Sequence, residues 1–320
     1  MSFLSVRDVS VTIGRVQPLH GISLGVDKGQ ILGVVGESGS GKSLTAMAIM
    51  GLLPLIGGRV SAGSIKLEGT ELVDLAEARY RGLRGRRMAL ITQNPMTSLD
   101  PLLRVGVQID QVSLVHLGMT PAAAMARSID LLQQLRIPDA ATVYHQFPHQ
   151  MSGGMKQRIV IAMALVGNPD LIVADEPTTA LDVTIQAQII QILVELVRER
   201  GLALVLITHD MGVVAQACDY VTVLYAGRVA ESNSVREIFA HPAHPYTRAL
   251  IGCIARDGQA PGSLQGIAGI VPSVTDYASG CRFHPRCSAA QASCQSDVPQ
   301  LRALASGSVA CHFASEAPHG

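Results

Sequence analysis

At 320 residues the chain has room for one large domain with an appendage, or for two modest domains. It is 48% hydrophobic but only 3% aromatic and has no Trp, so its core has to be built from Val, Ile, Leu, Ala and Met, which suits helices packed on a sheet. Lys plus Arg and Asp plus Glu each total 25, so no net field draws the chain onto nucleic acid or anionic lipid, and a nucleic-acid partner is disfavoured.

The opening MSFLSVRDVS lacks the basic start and long apolar run of a signal peptide, and the chain is expected to stay in the cytosol. Alternating apolar residues at Leu4, Val6, Val9, Val11 and Ile13, and again at Ile22, Leu24 and Val26, predict a β-rich beginning. Residues 30–35 then form a continuous apolar strand that runs into a glycine-rich turn, and a helix is predicted over 43–53, stopped by Pro54. The most apolar stretch, 44–56, is broken by Gly51 and Pro54 and is too short for ~30 Å of hydrocarbon. Any membrane role is therefore borrowed from a partner.

Short buried strands are predicted at 88–91, 171–174, 203–208 and 221–225, the later ones separated by helices, which is the pattern of a parallel sheet wound with helices. The clearest helix covers 183–200, with Ile185, Ile189, Ile192, Leu193 and Leu196 on one face and Gly201 placed to end it. Between 103 and 166 the patterns are helical throughout, a helical insert in the α/β domain. Beyond about 241 the composition turns to Pro, Gly, Ser and Cys, and a separate small module is expected. There is no internal repeat and no low-complexity tract.

Gly36-Glu37-Ser38-Gly39-Ser40-Gly41-Lys42-Ser43 fits G-x-x-x-x-G-K-[ST] between a buried strand and a helix, which is the context this motif requires. Glycines let backbone N–H groups close around a β-phosphate, and the following helix adds positive partial charge. Lys42 reaches the β and γ oxygens and the Ser43 hydroxyl suits Mg²⁺, so the expected ligand is a nucleoside triphosphate with magnesium. The strand at 171–174 ends in Asp175-Glu176, carboxylates suited to the magnesium shell and to the attacking water. Between them, Met151-Ser152-Gly153-Gly154-Met155 opens a helix with Ser152 as its N-cap.

SGGM before a helix, then LIVADEPTTALD, then His209 after LVLIT, resembles the nucleotide-binding subunit of an ABC transporter, and with Gln93 the resemblance covers residues 1 to about 240. It implies an α/β P-loop NTPase cassette over 1–240 with an N-terminal antiparallel β-subdomain, a helical subdomain at about 96–166, and a C-terminal extension over 241–320. It further implies that Gln93 contacts magnesium or the water and links the site to the membrane partner, that Asp175 lies on the magnesium side, and that Glu176 is the general base. By the same resemblance His209 contacts the γ-phosphate, Asp182 lies at a dimer interface, and Ser152, Gly153 and Gly154 touch the partner's ATP. Two positions depart from the family pattern: the signature reads MSGGM where many members read LSGGQ, and the place of an adenine-stacking aromatic is held by Ile13.

HPAHPYTRAL, from His241, is on physical grounds a surface turn joining a helix, with X-Pro steps at both ends. It resembles the extension of ABC subunits serving dipeptide, oligopeptide and nickel importers. That resemblance implies a second, homologous ATPase chain, two transmembrane permease subunits, an extracytoplasmic solute-binding protein acting indirectly, and a peripheral place on the cytoplasmic face of the inner membrane. Peptides lead as cargo, with nickel, opines or another small solute behind. A separately made exporter ATPase and a soluble ABC ATPase acting on DNA or ribosomes are the other classes; the second generally carries two cassettes or a long coiled-coil insertion, and neither is present.

Cys281, Cys287, Cys294 and Cys311 form C-x5-C-x6-C-x16-C. Disulfides are disfavoured in a reducing cytosol, and the spacing is wider than the usual zinc knuckle. Some peptide-importer subunits similar to this chain carry a 4Fe-4S cluster at such cysteines, so the resemblance makes a 4Fe-4S cluster the expectation, with zinc or no metal behind it. Cys218 and Cys253 read as small buried residues.

Overall fold

The computed structural model describes residues 2–179, 181–254 and 266–314. They divide into two compact units, one formed by Met1–Val26, Ile31–Asp74 and Leu206–Gly320, the other by Asp27–Gln30 and Leu75–Val205.

The first unit opens on an antiparallel sheet in which Leu4–Ile13 lies between Val16–Val26 and Gly58–Leu67, with the short Thr70–Glu71 outside the latter. The apolar alternation that predicts the first strand slips between Val6 and Val9, where the pairing register shifts and Asp8 takes φ 49. A bulge of this kind keeps both valines on the buried face. Gly58–Leu67 has no matching signal in the sequence, since its middle residues, Ser61, Ala62 and Gly63, are small and exposed.

In the same unit Ile31–Val35 is buried along its whole length and pairs in parallel with Tyr220–Tyr225, Leu32 opposite Tyr220 and Val35 opposite Val223. Arg228–Ser234 adds antiparallel to Tyr220–Tyr225, and the hairpin of Arg302–Leu304 and Gly307–Val309 adds to Arg228–Ser234. Two strands from beyond residue 241 thus join this sheet. Val35, Val214, Val221, Val223, Ile238, Tyr246 and Phe283 form one packed core.

Two expectations are corrected here. The helix after the glycine-rich loop runs Lys42–Ile49 and not to 53: Gly51 takes φ 64, its N–H donates to Ala48 O at 3.2 Å and that of Leu52 to Met47 O at 2.8 Å. This pair of bonds closes the helix at Ile49, ahead of Pro54, which sits in a 3₁₀ turn, Leu53–Ile56. The HPAHPYTRAL segment is no surface turn either, because His244, Tyr246 and Thr247 are buried. The fully buried Glu231 carboxylate accepts the N–H groups of Ala243 and His244 at 2.8 Å each and fixes the turn from below. Burial pushes that carboxyl up and the His244 imidazole down to about 4.

In the second unit Met88–Ile91 and Leu171–Asp175 pair in parallel, Met88 opposite Leu171. Between residues 103 and 166 there are helices and no strand, as the patterns predict: Val105–Leu117, Pro121–Gln134, Ala140–Tyr144 and Gly153–Leu165. The first three are tied by Asp110, which accepts the Ser128 hydroxyl at 2.6 Å and the Tyr144 hydroxyl. Val183–Arg200 is the helix predicted, buried at Ile189, Ile192, Leu193 and Leu196, half-buried at Ile185, and closed by Gly201. Among the described residues no helix is long and apolar enough to cross a membrane.

Candidate functional site

The loop from Gly36 to Ser43 is built by its glycines. Gly36 and Gly41 take φ 151 and 102, and a Cβ would lie 2.2 Å from Leu224 O at the first and 2.3 Å from Leu19 Cδ2 at the second, so no other residue fits without displacement. Lys42 is 5% exposed and arches back over the loop, donating to Gly36 O at 2.8 Å and Glu37 O at 3.0 Å. The buried Ser40 hydroxyl has no hydrogen-bond partner among the described residues, while Ser38, Gly39 and Ser43 are exposed. A glycine cradle, a fixed ammonium and a spare buried hydroxyl fit a phosphate chain.

Glu37 is held from two sides. Its N–H donates to the Tyr246 hydroxyl at 2.9 Å, and its carboxylate forks with Arg286 at 2.8 and 2.9 Å. Burial raises the Tyr246 phenol, and the carboxylate fork raises the Arg286 guanidinium. His209, also in this unit, is exposed at the end of Ala203–Thr208 and is followed by Asp210, the N-cap of Met211–Ala217.

In the other unit Gln93 and Glu176 meet: Gln93 Nε2 donates to a Glu176 carboxylate oxygen at 3.0 Å, and the Thr179 hydroxyl donates to the same oxygen at 2.9 Å. Glu176 itself takes φ 46, a left-handed conformation uncommon for a side chain this large. Asp175, at the strand end, is half-buried. Ser152 is the N-cap the sequence predicts, accepting Met155 N–H at 3.3 Å, and Ser152 and Gly153 are exposed. Among the described residues a Cβ on Gly153 would meet only Leu181, at 3.4 Å, whereas one on Gly154 would press Ile185 at 2.8 Å. Asp182 is exposed at the start of Val183–Arg200 and makes no side-chain cap.

Cys281, Cys287, Cys294 and Cys311 are free thiols that line one cavity of about 550 Å³ together with His284 and His312. Burial, with the neighbouring cysteines adding to it, pushes the Cys281 and Cys287 thiols up. Among the described residues no three His, Cys, Asp or Glu side chains come together closely enough to hold a metal ion, so the geometry does not support the expected iron-sulfur site as an assembled ligand set. Cys253 is exposed, contrary to expectation; Cys218 is half-buried behind Gly33, where a Cβ would lie 3.1 Å from its sulfur.

The family model for ABC transporters matches residues 19–179, and the one for the oligopeptide/dipeptide transporter C-terminal region matches residues 230–294. The dipeptide transport ATP-binding protein DppD of Escherichia coli (strain K12) is 45% identical over 318 residues, 98% of this chain and 97% of that protein. The chain belongs to the ABC transporter ATP-binding family. The oligopeptide transport ATP-binding protein OppD of Salmonella typhimurium is 43% identical over 314 residues, 97% of this chain and 93% of that protein. Among solved structures, a dimeric ATP-binding cassette in a post-hydrolysis state bound to ADP and Pi aligns with a TM-score of 0.65 and 26% identity over 73% of this chain and 99% of its own.

The fold is thus an ABC cassette, and the chain is an ATPase of that family. Of the cassette's contacts, the sequence reading missed Thr179 on Glu176 and both holders of Glu37. Thr179 lies three residues from its partner and was within reach of local reasoning, whereas Tyr246 and Arg286 stand 209 and 249 residues from Glu37 and leave no local signal.

Proposed function

We propose that this chain binds and hydrolyses MgATP to drive uptake of di- or oligopeptides through membrane partner subunits. The supporting observation is that a cassette with a formed phosphate-binding loop is joined to a C-terminal region similar to that of oligopeptide and dipeptide transporters, along nearly the full length of relatives named for peptide transport. In this reading 1–240 is the cassette, with a helical subdomain at about 96–166, and 241–320 the importer-type extension.

The loop residues Gly36 to Ser43 hold the phosphates, with Lys42 on the β and γ oxygens. Ser43, Asp175 and Gln93 are the groups for Mg²⁺, which supplies charge neutralisation on the phosphate oxygens. Glu176 takes the proton of the attacking water, its carboxylate aimed by Gln93 and Thr179, and His209 contacts the γ-phosphate. Ser152, Gly153, Gly154 and Asp182 face the nucleotide of a second, homologous ATPase chain. Two permease subunits dock on the cassette, a solute-binding protein delivers cargo outside, and the complex sits with this chain on the cytoplasmic face of the inner membrane.

The test is uptake into vesicles carrying the two permeases, this chain and its ATPase partner, with the binding protein supplied outside. ATP-dependent accumulation of a labelled dipeptide, lost on competition by unlabelled peptide, is the expected result. Vesicles that take up nickel or an opine and ignore peptide overturn the cargo and leave the ATPase standing.

The four cysteines are proposed to carry a structural 4Fe-4S cluster. Four free thiols on one cavity support this reading; in the structure they are not drawn together as a ligand set, so loading would have to close them around the cluster. Anaerobically purified protein should be brown, absorb near about 400 nm and hold about four irons per chain, one complete thiolate set. Colourless protein with stoichiometric zinc overturns this assignment.

A further inference from the structure

Every polar group of Glu37, the second residue of the phosphate-binding loop, is engaged from within the chain. Its N–H goes to the Tyr246 hydroxyl, its carbonyl accepts from Lys42 Nζ at 3.0 Å and from Ser40 N at 3.2 Å, and its carboxylate goes to Arg286. Arg286 is the more buried partner of that pair: its side chain is 6% exposed against 29% for Glu37. Its Nε donates to Ala268 O at 2.7 Å and its Nη2 to Ile267 O and Gly269 O at 3.3 Å each. The guanidinium stands 5.7 Å from the Tyr225 ring, and the Tyr225, Tyr246 and Phe283 rings pack against one another at 4.7 to 5.2 Å. Farther along the same segment, Val271 lies 3.9 Å from where a Gly39 Cβ would be.

A loop with three glycines at positive φ has much freedom to lose when it closes on a phosphate chain, and a clamp at its start removes part of that freedom before the ligand arrives. A bidentate guanidinium-carboxylate pair whose guanidinium is already fixed by three carbonyls is well suited to this. We propose that Arg286 is a positioning residue for nucleotide binding, acting through Glu37, so that the C-terminal segment is part of the ATP site. The proposal deepens the MgATP reading above and rests on it.

Arg286→Ala and Glu37→Gln, singly and together, test it, with MgATP affinity followed by a fluorescent ATP analogue, KM and kcat by phosphate release, and stability by urea unfolding. Each single variant is expected to weaken binding and raise KM about tenfold, the worth of one charge-assisted pair, with kcat within about twofold. The double variant should bind no worse than either single one, because the pair acts as a unit. Should Arg286→Ala fail to fold, Glu37→Gln carries the test, since Arg286 then keeps its three carbonyl partners. Unchanged affinity in a folded variant overturns the proposal even if stability falls, and so does a loss confined to Arg286→Ala or a double variant whose losses add. A wild-type chain that does not bind MgATP overturns the proposed function instead.

Discussion

The loop ahead of the helix Lys42–Ile49 and the turn ahead of the helix Gly153–Leu165 are both places where backbone N–H groups and a helix N-terminus favour an anion. The first is buried at Gly36, Ser40 and Lys42 and is held by Tyr246 and Arg286, 209 and 249 residues away. The second is exposed at Ser152 and Gly153, and its cap is its own first residue. The contrast teaches that an anion site finished inside one chain needs ties across that chain. A turn meant to meet another molecule needs only local shape and an open face. On the proposed function, the loop serves this chain's own ATP and the turn serves the ATP of a second ATPase.

The largest effect should come from stopping hydrolysis so that the two ends can be compared at rest. Glu176→Gln keeps acceptors for Gln93 and Thr179 but loses the base, and turnover should fall at least ~100-fold while MgATP binding persists. Phosphate release beside nucleotide binding checks this, and near-normal turnover removes Glu176 from the base role.

In that arrested background, Gly153→Asp sharpens the comparison. Leu181 at 3.4 Å leaves room for the Cβ, so the fold should stand, while a carboxylate at the exposed turn repels a partner's γ-phosphate. ATP-driven association, measured by light scattering, should weaken about tenfold or more, a like-charge cost above ~1.4 kcal/mol. Binding at this chain's own loop should be unchanged. Loss of its own ATP binding in the folded variant, or undiminished association, would break the division of labour between the two ends.

The smallest effect is expected from Ser152→Ala, which removes the side-chain acceptor of Met155 N–H and should cost about 1 kcal/mol, the usual worth of an N-cap. Urea unfolding reads it directly. A much larger loss would mean that the turn is supported by more than its cap.

Much of this was legible in the sequence because the chemistry is local. The phosphate-binding loop, the strands at 88–91 and 203–208 and the helix at 183–200 are each decided by neighbours within a few residues: glycines in a loop, a buried apolar run, an apolar stripe closed by Gly201. What escaped depends on partners far along the chain. HPAHPYTRAL reads as surface because of its prolines, yet Glu231 and the aromatic core take its polar groups inside. The strand Gly58–Leu67 borrows its pairing from Leu4–Ile13 and carries little apolar pattern of its own. The helix predicted to reach residue 53 ends at Ile49 because Gly51 competes with Pro54 as the stop and comes first.

The carboxy-terminal hairpin has a bearing on how short this protein can be made. Arg228–Ser234 has Tyr220–Tyr225 on one side and Gly307–Val309 on the other, with Glu231, Ser232 and Asn233 opposite Val309, Ser308 and Gly307. A chain cut at residue 240 would leave that outer row of N–H and C=O groups bare, an open edge ready to recruit the strand of any passing copy. It would also strip the cover from Tyr225 and Ala230 in the core. Trimming back to the cassette should therefore yield a protein that self-associates through its sheet, and its solubility would report on the missing hairpin more than on the ATPase that remains.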